Sequence, residues 1–167
     1  DACAGARARV AAAAADPRRL FITGGSAGGY TTLAALCFQD VFTGGCSKYG
    51  IADLAVLNAD THKFESRYCD RLVVPGDHAR AAEVYAARSP IAHVDRLSCP
   101  ILLLQGTEDK IVPPNQARLM HDALLEKGIP TALKLYEGEQ HGFRKAENVE
   151  DALNSELYFS GRIPGLA

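Results

Sequence analysis

The chain has no basic surplus: 18 Lys and Arg stand against 20 Asp and Glu, a formal net charge of −2. Nucleic-acid binding through phosphates needs clustered positive charge, so that class is not indicated. Nor is there an apolar run near the ~20 residues that a membrane-spanning helix requires. The longest candidate, Val10 to Ala15, falls far short, and no membrane association is expected. The five cysteines, Cys3, Cys37, Cys46, Cys69 and Cys99, form no C-x-x-C pair that could hold zinc or run redox exchange. They read as reduced core or surface thiols, which favours an intracellular, cytoplasmic setting. H-x-x-x-H and H-E-x-x-H spacings are absent, so no metal is expected, and no cofactor. No repeat or biased block interrupts the 167 residues, and 47% hydrophobic with 23% charged content fits one soluble domain.

The chain opens with Asp1 rather than Met, which suggests a processed or missing N-terminus. Residues 2–15 are rich in Ala and Arg, a composition shared by transit peptides to organelles such as the chloroplast and by strong helices. Asp16-Pro17 and the strand pattern that follows favour the helix.

Leu20-Phe21-Ile22-Thr23 is a short apolar run bounded by Asp16-Pro17 and glycines, as in a fully buried parallel strand. A helix is predicted from Gly28 to Phe38, and Cys46 to Tyr49 is a weaker strand candidate. Residues 51–95 mix helical stretches such as Ala81 to Ala87 with turn patterns at Pro75-Gly76-Asp77 and Ser89-Pro90, as in an insertion or lid. Ile101 to Leu104 is a buried strand, Pro114 to Lys127 a helix stopped by Gly128, and Thr131 to Tyr136 a strand. The loop Glu137 to Phe143 leads to a last helix over about Ala146 to Tyr158. Alternating strands and helices predict an α/β fold with a mostly parallel sheet flanked by helices, where chemistry collects at the carboxyl ends of strands.

Gly24-Gly25-Ser26-Ala27-Gly28 fits G-x-S-x-G between a strand and a helix, the context that motif requires. A tight turn there strains the Ser26 backbone, with small residues needed at Gly24 and Gly28, and presents the hydroxyl as a nucleophile. The Ala27 N–H at the helix opening is the candidate oxyanion donor. A capping serine or a phosphate loop is the plainer alternative. No G-x-G-x-x-G register or G-x-x-x-x-G-K-[ST] loop supports the latter.

A serine hydroxyl needs a base, and the base needs an anion that holds its tautomer. Asp109 and His141 each follow a predicted strand, and the chain order Ser, Asp, His is that of α/β-hydrolases. Glu108 is an adjacent candidate for the acid; Pro113 and Pro114, which stiffen the segment after Asp109, favour Asp109, as does the family pattern described next. The other histidines, His62, His78, His93 and His121, read as ordinary surface or core residues.

At these positions the chain resembles the catalytic domain of the prolyl oligopeptidase family of serine peptidases, in its acylaminoacyl-peptidase and dipeptidyl-aminopeptidase-like branch. The resemblance rests on Ile22 to Tyr30, His62 to Tyr68, Gln105 to Pro114 and Glu139 to Phe143, and covers nearly the whole chain. It implies Ser26 as nucleophile, Asp109 as orienting acid, His141 as base, and a peptide or acyl-peptide substrate cleaved through an acyl-enzyme. It also implies that residues 1–167 are the C-terminal part of an α/β-hydrolase domain. The propeller, the first strands of the sheet and a second oxyanion donor would then lie upstream.

Glu65 and Arg67 are candidate substrate contacts, with pairing to each other or to Asp70 as the alternative. Tyr30 is a further candidate contact, although it and Phe143 are expected to pack beside the three central residues. An esterase or lipase using the same residues is the nearest rival function, and a non-catalytic binding module on the same scaffold a more distant one. Oligomeric state does not follow from the sequence.

Overall fold

A computed structural model describes residues 1–60, 72–74 and 78–163. Four strands, β1 (Phe21–Gly25), β2 (Gly44–Lys48), β3 (Ile101–Gly106) and β4 (Thr131–Tyr136), form one sheet in the order β1-β2-β3-β4. Every pairing is parallel, so helices make the crossovers and lie on its faces. These helices are α1 (Ala2–Ala11), α2 (Ala27–Phe38), α3 (Leu54–Asp60), α4 (Ala81–Arg88), α5 (Asn115–Glu126) and α6 (Ala146–Ser160). Among the described residues no helix is long and apolar enough to cross a membrane.

The sequence of β3 explains its place inside the sheet. All six of its residues are buried, and strand alternation divides them between two cores. Ile101 and Leu103 join Leu33 and Leu36 of α2 with Met120 and Leu124 of α5, while Leu102 and Leu104 meet Cys46, Tyr136 and Ala152 of α6 on the opposite face. Burial of each such leucine contributes about 1.5–3 kcal/mol. The helix α5 buries Ala117, Met120 and Leu124 and stops before Gly128, whose φ of 75° suits glycine.

Two sequence expectations shift. The first helix ends at Ala11 rather than running to residue 15, because Ala13 turns to a φ of 55° and the N–H groups of Ala13 and Ala14 donate back to Val10 and Arg9. Helix propensity favoured continuation, but the chain must turn so that Asp16 can cap the short helical turn leading into β1. The second strand begins at Gly44, not Cys46, and ends before Tyr49. Its two leading glycines carry no side chain for a β pattern to register, yet both pair with β1.

Within residues 51–95, α3 and α4 pack around Leu54, Leu57, Val74 and Tyr85, which meet Val112, while Ile91 and Val94 of a short helical stretch Pro90–Arg96 pack on the core beneath α2 and α5. Buried polar groups tie this region to α5 and to itself: the Ala52 and Asp53 N–H groups donate to Gln116 Oε1 of α5, and the Leu54 N–H donates to Ser89 Oγ. The turn pattern at Pro75-Gly76-Asp77 lies outside the described residues, as does Cys69. The other four cysteines are free, and burial pushes the Cys37 and Cys46 thiols up to about 12, so these are packing groups rather than nucleophiles.

Candidate active site

Ser26 sits between β1 and α2 with φ 57° and ψ −119°, a conformation that L residues rarely adopt. Its N–H donates to Lys48 O and its carbonyl accepts from Tyr30, so both backbone groups are occupied in holding the bend. Although it precedes the first helical residue, its side chain makes no capping bond. The hydroxyl is directed away from the helix, 2.7 Å from His141 Nε2. The glycine requirement is distributed differently from the sequence reading. A Cβ on Gly24 would lie 2.4 Å from the Gly28 carbonyl oxygen, whereas a Cβ on Gly28 would meet nothing within 4 Å. Gly24 must be small so that the helix can fold back on the strand; Gly28 presents only its backbone to that contact.

Asp109 follows β3 with its side chain fully buried. Its Oδ1 accepts from the N–H groups of Ile111 and Val112, both at 2.9 Å. Its Oδ2 accepts from His141 Nδ1 at 2.8 Å and faces the Gln105 amide nitrogen at 3.3 Å. Neighbouring Glu108 is exposed and engages β4 only through its backbone N–H, which donates to Glu139 O. A carboxylate can only accept, so Nδ1 of His141 carries the proton, and the lone pair on Nε2 receives the Ser26 O–H. The three side chains therefore form one directional series, joining residues 115 apart at one contact and 32 apart at the other.

The loop carrying His141 is fastened by Glu139. This carboxylate, 2% exposed, accepts from the backbone N–H groups of Arg144 and Lys145 and from the Asn148 side chain. Burial acts to raise its pKa, but the hydrogen bonds from Asn148, Lys145 and Arg144 outweigh it and hold the carboxyl below its usual range.

Of the other residues singled out in the sequence, Ala27 opens α2, where its N–H has no acceptor inside the helix. Tyr30 packs against the Leu54, Leu57 and Tyr85 cluster, and its hydroxyl donates to Arg88 O at 2.9 Å, tying α2 to α4. Glu65 and Arg67 lie outside the described residues. Phe143 stacks at a tilt on Tyr136.

Sequence reasoning gave no role to three residues that touch the site: Gln105 beside Asp109, Glu139 beneath the His141 loop, and Tyr49. The ring of Tyr49 lies edge-to-face with that of His141, centroids 5.1 Å apart. Glu139 and Gln105 fall inside motif stretches quoted for other reasons. Tyr49, at the end of a weakly patterned strand, had no local signal.

Comparison with known proteins fits this geometry. Across its full length the chain is similar to a puromycin-hydrolyzing peptidase of Mycobacterium tuberculosis, at 47% identity and a TM-score of 0.94, covering 25% of that chain. It is 32% identical over 131 residues to dipeptidyl aminopeptidase BIII of Pseudoxanthomonas mexicana, an alignment covering 76% of this chain and 19% of that protein. Esterase LipQ of Mycobacterium tuberculosis is 29% identical, with 98% of this chain and 42% of that protein covered. The chain thus spans less than half the length of each of these relatives, and about a quarter or less of the two peptidases. The parallel sheet with its helices is that of an α/β-hydrolase, as the sequence predicts, and the prolyl oligopeptidase family profile matches residues 1–165, so the chain belongs to that family.

Proposed function

We propose that the protein is a serine-type peptidase that cleaves peptide or acyl-peptide bonds through an acyl-enzyme. The observation that carries this reading is the unbroken series Ser26 Oγ, His141 Nε2 and Nδ1, and Asp109 Oδ2, with contacts of 2.7 and 2.8 Å. As Ser26 Oγ attacks the substrate carbonyl carbon, His141 Nε2 takes the hydroxyl proton and becomes imidazolium, which Asp109 stabilises and orients. The oxyanion that forms accepts from the Ala27 N–H, aided by the positive end of α2. Collapse of the tetrahedral species breaks the C–N bond, and His141 returns the proton to the leaving amine. Water then repeats the sequence on the ester, releasing the acid and restoring Ser26.

Residues 1–167 are proposed to be one part of a larger hydrolase domain, because β1 has an unpaired edge among the described residues and the peptidase relatives are about four times as long. A second reading, an esterase with the same residues, is favoured by the similarity to LipQ. The test is hydrolysis by the full-length protein of an aminoacyl nitroanilide and of a matched short-chain ester, together with fluorophosphonate labelling. Turnover of the anilide with label on Ser26 is expected. Ester turnover with no anilide cleavage would select the esterase, and no labelling of Ser26 would reject both.

A further inference from the structure

Tyr49 has an unusual backbone for a residue with a bulky side chain. Its φ is 40°, in the left-handed region that a bulky residue seldom occupies. Such strain costs on the order of 1–3 kcal/mol and persists only where the surroundings over-determine it. Here the Tyr49 N–H donates to Leu104 O at 2.7 Å, which fixes the bend at the carboxyl end of β2. The strain is not repaid by burial: the side chain is only partly buried, and it borders a cavity of about 180 Å³ lined also by Lys48, Val149, Leu153 and Glu156.

What the bend achieves is to aim the ring. One neighbour is His141, edge-to-face at 5.1 Å and 63° between planes; another is Phe143, at 5.3 Å and 85°. Phe143 rests in turn on Tyr136 at the end of β4, so a chain of rings runs from the sheet to the imidazole. On another side, Gly25 leaves the room the ring needs, since a Cβ there would lie 2.7 Å from Tyr49 Cε2. The torsion that sets a histidine ring plane is intrinsically soft. The Asp109 contact fixes Nδ1 but leaves the ring free to tilt about that hydrogen bond, and a tilt carries Nε2 off the Ser26 hydroxyl.

We propose that Tyr49 is a positioning residue that acts through His141: its ring is the wall that keeps the imidazole plane in line with both Ser26 and Asp109. The role belongs to the aromatic face and not to the phenol hydroxyl. It rests on the peptidase reading above, in which His141 carries the proton.

The test compares full-length wild type with Tyr49→Phe and Tyr49→Leu, using an aminoacyl nitroanilide for kcat and KM and fluorophosphonate for the rate at which Ser26 is labelled. Tyr49→Phe keeps the wall and is expected to stay within about threefold of wild type in kcat. Tyr49→Leu is expected to lose about 10²-fold in kcat, the scale for a misplacement of about 1 Å. Its KM should change little, with labelling slowed in parallel. Equal kcat in wild type and Tyr49→Leu would overturn the proposal, as would a Tyr49→Phe variant as slow as Tyr49→Leu. If Tyr49→Leu fails to fold, Tyr49→Met takes its place, with the same expected loss in kcat and with equal kcat to wild type as the result that overturns the proposal. A wild type that neither turns over nor labels would reject the peptidase reading itself, and this inference with it.

Discussion

Asp109 meets His141 through one oxygen and is held by its own segment through the other: Oδ2 takes Nδ1 at 2.8 Å, while Oδ1 is closed off by the N–H groups of Ile111 and Val112. The carboxylate therefore cannot swing to offer a different oxygen without breaking two backbone bonds. An acid so fixed determines which imidazole nitrogen carries the proton.

Replacing Asp109 with Asn keeps the shape but puts an amide where only an acceptor works. Its N–H₂ group facing Nδ1 would favour the wrong tautomer and take the base away from Ser26. A loss of about 10⁴-fold in kcat is expected. Steady-state kinetics of the full-length variant on an aminoacyl nitroanilide would check this, and a loss below tenfold would contradict it.

The two outer glycines of the serine motif should respond in opposite ways. Gly24→Ala places a methyl 2.4 Å from the Gly28 carbonyl, so the bend must open and stability falls by at least about 1–3 kcal/mol. Gly28→Ala meets open space and replaces a poor helix former with the best one, so stability is unchanged or higher by up to about 1 kcal/mol. Denaturant titration of the two variants separates them; equal losses would be the contrary result.

Glu139 predicts a pH dependence of fixed sign. Its folded pKa lies below the ordinary 4.5, so the unfolded chain binds its proton more readily. Its contribution is complete above about pH 4.5 and disappears as pH falls through the folded value. Glu139→Gln should therefore be less stable than wild type at pH 7, with the gap narrowing below pH 4.5. A gap that widened on acidification would refute the assignment.

Cut to residues 1–167 alone, the chain is expected to lose most activity. The edge of β1 that has no partner among the described residues would be left exposed, and loss of one oxyanion donor, which the proposed upstream part of the domain would supply, lowers rates by about 10²–10³-fold. Comparison of anilide turnover by the short and full-length proteins is the measurement; equal turnover would show that residues 1–167 suffice.

Much of this site is legible in the sequence because its parts are local. Ser26, Asp109 and His141 each sit in a loop just beyond a strand with a strong apolar pattern, and Thr131–Tyr136 is found with the limits its pattern predicts. What the sequence hides depends on neighbours far along the chain. Nothing in Gly24-Gly25-Ser26-Ala27-Gly28 tells that Gly24 is crowded and Gly28 is not, because the crowding arises from how α2 folds back over β1. Tyr49 is invisible for the same reason: its partners His141 and Phe143 arrive from the loop after β4. The extent of the first helix is missed because propensity knows nothing of the turn needed to enter the sheet.

The pairing of β4 with β3, Ile101 opposite Thr131 through Gly106 opposite Tyr136, leaves β4 bonded on one side only among the described residues. A slip of a single residue there would displace His141 by about 3.3 Å and turn alternate side chains to the wrong face. A misregistered molecule could keep its helices and most of its core yet be chemically silent. Turnover per molecule is then a sensitive gauge of correct strand alignment, one that bulk measures of secondary structure would pass over.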